Sequence, residues 1–312
     1  MQSDEVLNAL LDIAEHFQTG SKIVRGRGRA QKSLDLIKAM YAAAEEAQPI
    51  TGRGIGYKLF TQGLIASMET GEMQRVYRLL REAREEETIP WEWIVDETRE
   101  LEKASTWANP ERYARCVARS YRRDFWQQQP ERVEVWSEKG TIRGVLQPVL
   151  DKYAVGFRVL HGYSSATSIY DAANDGDDKP LSVHYVGDYD PSGMNMSEID
   201  LPQRLEKYGG NHIDLQRIAL TEGQVEDLQS FPASDKGPKR GKRGDPRYEW
   251  YVDNYGKRCW ELDAMDPRNL REIVERAIRS RIEPVAWARC EEINKAEQES
   301  LRTVLDGWGK RS

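Results

Sequence analysis

Cysteine is scarce in this sequence: three residues, Cys116, Cys259 and Cys290, lie far apart along 312 positions. That spacing excludes a paired CxxC zinc site and gives no disulfide framework, so a reducing compartment is expected, most simply a bacterial or viral-host cytoplasm. No apolar run approaches the ~20 residues needed to span a bilayer, which leaves membranes out of the expected partners. The first residues, MQSDEVLNALLDIAEHF, lack the basic start of a signal peptide and read instead as an acidic amphipathic helix. Histidine is thin too; His16, His161, His184 and His212 are scattered and suggest neither a zinc cluster nor a triad. The Walker A spacing is missing, since GPKRGKRG has neither the required interval nor a Ser or Thr after its lysine. There is also no excess of positive charge. The net charge of −6 argues against a nucleic-acid coat protein, although local patches rather than the average decide phosphate binding.

Hydrophobic residues make up 39% and charged residues 31%, a globular balance in a chain long enough for two domains. Two basic patches stand out. One holds Lys22, Arg25, Arg27, Arg29 and Lys32 with no acid between them. The other holds Lys236, Lys239, Arg240, Lys242, Arg243 and Arg247 among glycines and prolines. Each is either a solvated loop or a phosphate-binding surface.

Helical spacing runs through residues 4–18 and again from Leu34 through Ile37 and Met40, after which Pro49 and the glycines of TGRGIG are expected to break the chain. YKLFTQGLIASM and GEMQRVYRLLREAREEE then read as a helix pair, followed by IPWEWIVDETR, a candidate hairpin wing. A winged helix and a plain helical bundle both satisfy this pattern. Near Pro130 the period changes. RVEVWSE, GFRVLHG, LSVHYVGD and HIDLQRIAL read as strands alternating with helices, the signature of a parallel sheet. The last 45 or so residues read as two amphipathic helices. The expected fold class is therefore α/β (α+β overall), with a helical domain over 1–129 and a parallel α/β domain with C-terminal helices over 130–312.

In open parallel sheets functional groups gather at the carboxyl ends of strands. Glu138 closes one strand, and Asp188 and Asp190 close another. Three carboxylates converging there repel one another unless a divalent cation offsets them, and oxygen-only ligands select magnesium or manganese. Pro191, Ser192 and Gly193 follow as a helix start whose amides are open to phosphate. Glu261 and Asp263, in WELDAMDP, either support the same site or cap the next helix.

The wording VEVWSEKGTIRGVL, RVLHGYSSATSIYDA and VGDYDPSGMNM resembles the Toprim domain of the A subunit of topoisomerase VI and its relatives, over roughly residues 130–282. RIALTEGQVEDL and WELDAMDPRNLREIV are similar to the closing segments of that domain. The resemblance implies a winged helix before the Toprim domain, a magnesium site at Glu138, Asp188 and Asp190, double-stranded DNA as substrate, and a homodimer. In such a dimer the tyrosine of one subunit faces the metal site of the other. It also implies a nucleophilic tyrosine four residues after an arginine; Arg53 and Tyr57 have that spacing, with Gly56 where the family usually carries a second tyrosine. Tyr57 would attack the phosphate, Arg53 and Glu138 would assist catalysis, and Arg25, Arg27, Arg29, Lys58, Lys139, Lys239, Arg240, Lys242 and Arg243 would contact DNA. Strand passage would need a separate ATPase partner. Three readings stay open: a tyrosine transesterase, a hydrolytic nuclease using the metal alone, and a DNA-binding or bridging protein that retains the fold.

Overall fold

The computed structural model describes residues 31–95, 105–160, 166–176, 179–239 and 243–308. The helix expected over 4–18, together with Arg25, Arg27, Arg29, Arg240 and Lys242, lies outside them. Compactness divides the chain between Leu36 and Ile37. In the first unit the described residues, 31–36, open helix α1 (Gln31–Ala47), where the Gln31 amide donates to Asp35 at 2.9 Å.

The second unit, residues 37–312, contains the boundary expected at Pro130. It begins with the rest of α1, which buries Met40, Ala43, Ala44 and Ala47 at helical spacing. Ile50–Thr51 forms β1. Thr51 then caps helix α2 (Gly52–Thr61), its hydroxyl accepting from the Gly54 N–H at 2.9 Å. The glycines read from the sequence as chain breakers therefore lie inside a helix. A Cβ at Gly54 would stand 2.8 Å from the Ile50 side chain, and one at Gly56 2.6 Å from the Met73 thioether. Their absence lets α2 lie close against β1 and α3 (Thr70–Glu85), which offsets the ~1 kcal/mol that each glycine costs a helix.

The segment expected to form a hairpin wing makes a single 3-10 turn, Trp91–Trp93, and then β2 (Ile94–Val95). β2 pairs in parallel with β1, whereas a hairpin needs antiparallel strands; residues 96–104 lie outside the described set. Helix α4 (Pro110–Ser120) follows.

β3 (Arg132–Ser137), β4 (Gly156–Val159), β5 (Leu181–Val186) and β6 (Ile213–Ala219) form one sheet in the order β4-β3-β5-β6, every pair parallel. The crossovers contain α5 (Thr141–Tyr153), α6 (Ala166–Ala173), and the run α7 (Pro191–Asn195) and α8 (Leu201–Lys207). This alternation is the one the change of sequence period implies. All six residues of β5 are buried, as a central strand covered on both faces requires. Val133 and Val135 face a core shared with α5 and with α11 (Pro267–Ser280). Trp136, Val183 and Tyr185 pack with Ile169 of α6 and Leu201 and Leu205 of α8. Short elements complete the unit: α9 (Glu222–Val225), β7 (Phe231–Pro232), α10 (Tyr248–Tyr255), β8 (Arg258–Cys259) and α12 (Pro284–Trp308). The helical part before Pro130 is sewn to the sheet part: the Arg271 guanidinium of α11 donates to the carbonyls of Gln48 at 3.2 Å and Pro49 at 3.4 Å. No helix among the described residues is long and apolar enough to cross a membrane.

Candidate active site

β3 lies beside both β4 and β5, so the chain leaves it to one side after β3 and to the other after β4. That reversal opens a crevice at the carboxyl ends of β3 and β5, where open α/β sheets place their ligands. Glu138 is the first residue beyond β3, and Asp188 and Asp190 lie two and four residues beyond β5.

The turn carrying the two aspartates is tightly built. Asp190 caps α7, its carboxylate accepting from the Gly193 N–H at 2.8 Å. A Cβ on Gly193 would stand 2.3 Å from the Asp188 carbonyl oxygen, a contact that only glycine avoids. Beneath the turn Arg217 of β6 donates to the carbonyls of Gly187 at 3.2 Å, Asp188 at 3.3 Å and Leu220 at 3.1 Å, and to the Ser197 hydroxyl at 2.8 Å.

Most of the acids at this site hold a cation already. Lys139 bridges Asp188 at 2.8 Å and Asp263 at 3.0 Å. Burial opposes its charge, but Asp188, Asp263 and Glu261 keep the ammonium protonated above its ordinary range. Asp188 also accepts from the Leu262 N–H at 2.7 Å. Burial alone would raise the Asp263 carboxyl; Lys139 and the Thr51 hydroxyl, at 2.5 Å, hold it below the usual range instead. Lys236 reaches Asp190 at 3.0 Å. Arg53 grips Glu261 with both Nε and Nη2. Glu138 differs from the rest. Its carboxyl has no hydrogen bond or ion pair among the described residues, and burial, then repulsion from Asp188 and Asp190, pushes it up to about 7.

A half-buried carboxyl without a cation, close to two others, fits a hard divalent ion in the kind of donor it offers. The fit does not extend to a finished coordination shell. Among the described residues no three His, Cys, Asp or Glu side chains are grouped tightly enough to hold one ion.

Glu138, Asp188, Glu261 and Asp263 line a cleft of about 1220 Å³, which Asp190 does not border. α2, α3 and the turn at Trp91 add Arg53, Arg81, Arg84, Tyr77 and Trp91 to its lining; Arg143, exposed in the first turn of α5, lines it as well. Sequence reasoning did not single out Arg81, Arg84 or Arg143. The signal was present, because Arg81 and Arg84 are one helical turn apart on α3 and Arg143 lies five residues beyond Glu138. Glu261 and Asp263 do join the site, each holding a cation rather than standing free.

Tyr57 is placed differently from the arrangement implied by the family resemblance. It is 5% exposed, does not border the cleft, and lies within electrostatic reach of Glu261, Lys139 and Asp188 of its own chain. Burial, then the Glu261 charge, pushes its hydroxyl well above the usual tyrosine range. Arg53 stands 5.9 Å over its ring. Lys58 pairs with Asp266 at 2.9 Å and Glu46 at 3.5 Å. Lys239 pairs with Asp235 at 3.2 Å on the surface, and Arg243 is exposed.

Among known proteins, no family model, no curated protein and no solved structure matches the chain.

Proposed function

We propose that this chain cuts phosphodiester bonds in DNA with a divalent cation held by Glu138, Asp188 and Asp190, at the cleft that Glu138 and Asp188 line. One observation carries the reading. Glu138, a half-buried carboxyl without a cation, lies with Asp188 and Asp190 at the switch point of a parallel sheet, and the cleft there is also lined by arginines. The sequence resemblance to the Toprim domain of topoisomerase VI A subunits supports the same reading. Glu138, Asp188 and Asp190 would hold magnesium or manganese. When bound, the ion would neutralise their mutual repulsion and withdraw charge from the scissile phosphate. Arg81 and Arg143 would bind flanking phosphates, and Lys139 opposes the rise that burial imposes on the Asp188 carboxyl.

Attack by water is the first reading, because Tyr57 is buried and does not border the cleft. Tyrosine transesterification is the second. It is favoured by Arg53 over the Tyr57 ring and by a Tyr57 hydroxyl that has no hydrogen bond among the described residues. Cutting both strands of a duplex would call for two copies about a two-fold axis, and strand passage for a separate ATPase subunit.

The test is cleavage of supercoiled plasmid with Mg2+ or Mn2+ against EDTA, stopped with detergent. Metal-dependent nicks or breaks that vanish in Asp188→Asn are expected. Free ends that persist in Tyr57→Phe mean hydrolysis, whereas protein left on the ends and lost in Tyr57→Phe means transesterification. No cutting of any DNA form with either metal would reject the reading.

A further inference from the structure

Two aromatic side chains on the cleft wall are far more exposed than the rest of the wall needs. Trp91 is 51% exposed and Tyr77 42%, and both border the cleft that holds Glu138 and Asp188. Trp91 is nevertheless not loose. Arg84, itself only 8% exposed, lies 4.3 Å from the centre of its ring and donates to the Trp91 carbonyl at 3.3 Å. One face of the indole is therefore backed by a buried guanidinium, and the half-exposed ring borders the cleft with little side-chain entropy left to lose. The Tyr77 ring is backed by Gly52, where a Cβ would stand 3.2 Å from it.

A fixed ring face has one strong use beside a phosphate-binding wall, which is to stack on a nucleobase. In an intact duplex the faces of the bases are covered by their neighbours, and only edges and phosphates are offered to a protein. A base must be unpaired, or turned out of the helix, to meet such a platform. We propose that the cleft takes DNA as unpaired nucleotides, with a base stacked on the Trp91 ring and the adjoining phosphates on Arg81 and Arg143. This inference rests on the DNA-cleaving reading above and narrows its substrate to single-stranded or locally opened DNA.

The test is fluorescence anisotropy with the full chain in Ca2+, using a labelled oligothymidylate of about twenty nucleotides and a matched hairpin duplex. The single strand should bind at least about tenfold tighter than the duplex. Trp91→Ala should weaken single-strand binding roughly 5- to 150-fold, the range for one lost base stack, and leave the duplex within about twofold. Trp91→Leu keeps apolar bulk without an aromatic face and should behave like Trp91→Ala, while Trp91→Phe should retain most of the affinity; melting curves confirm that each variant folds. Equal binding of the two DNAs, or a Trp91→Leu loss equal on both, overturns the inference while leaving duplex cleavage intact as a reading. Failure of both DNAs to bind removes the DNA reading itself.

Discussion

Glu138 has no cation of its own, while Lys139 next to it serves two carboxylates at once. That division of charge sets what happens when the lysine is lost. Lys139→Met leaves Asp188 and Asp263 facing each other, mostly buried and unneutralised, so urea titration should show a loss of about 3–5 kcal/mol. Millimolar Mg2+ should restore more stability to this variant than it adds to the wild type; no loss without metal would show that the pair contributes little. A second residue-scale outcome concerns His184, 1% exposed in the middle of β5. Burial, then the Arg281 charge, pushes it down to about 4. Above the ordinary value of about 6.5 it is neutral whether the chain is folded or not; below that the unfolded chain takes up the proton first. Stability should therefore fall between pH 6.5 and 4, by about 3 kcal/mol from this residue. His184→Leu should flatten that part of the profile, and a profile unchanged by the substitution would assign the loss to carboxylates. The positions of Glu138, Asp188 and Asp190 were legible because acids directly after apolar strands leave a one-dimensional mark. Which cation each one meets was not, since Lys236 and Asp190 are joined only through the fold.

At the scale of elements, α2 is held to the acid site by its cap. The Thr51 hydroxyl accepts from Gly54 and donates to Asp263, so Thr51→Val removes both bonds while keeping the shape. Urea titration should show a loss of about 2 kcal/mol, combining a lost cap and a lost charge-assisted hydrogen bond, and Thr51→Ser should restore most of it. If Thr51→Val is as stable as the wild type, the cap is incidental. Strands β3 to β6 and helices α5, α6, α11 and α12 were legible from the sequence because each repeats a period long enough to stand out. β1 and β2 have two residues each and no period to show. The first half of α2 reads from the sequence as a break because its glycines answer to the closeness of Ile50 and Met73, which propensity does not report.

For the whole molecule, a net charge of −6 and an arginine-lined cleft coexist because the acids of the site are largely matched by lysine and arginine within it. Nucleic-acid affinity should therefore depend on salt despite the acidic average. Arg81→Ala with Arg143→Ala should flatten the plot of log affinity against log salt by roughly 0.7–0.9 per arginine, and an unchanged slope would place phosphate elsewhere. The change of sequence period near Pro130 marks where helices give way to the sheet. It does not mark where compactness ends, since Arg271 ties the two regions together across that point. The chain of contacts from Thr51 through Asp263 and Lys139 to Asp188 has a practical outcome for anyone mapping this protein by large-scale mutagenesis. Scored by cellular abundance alone, with activity never assayed, those four positions would tolerate as few substitutions as the hydrophobic interior. Glu138, which nothing in the fold leans on, would accept Gln or Ala freely, and the contrast between the two maps would single it out.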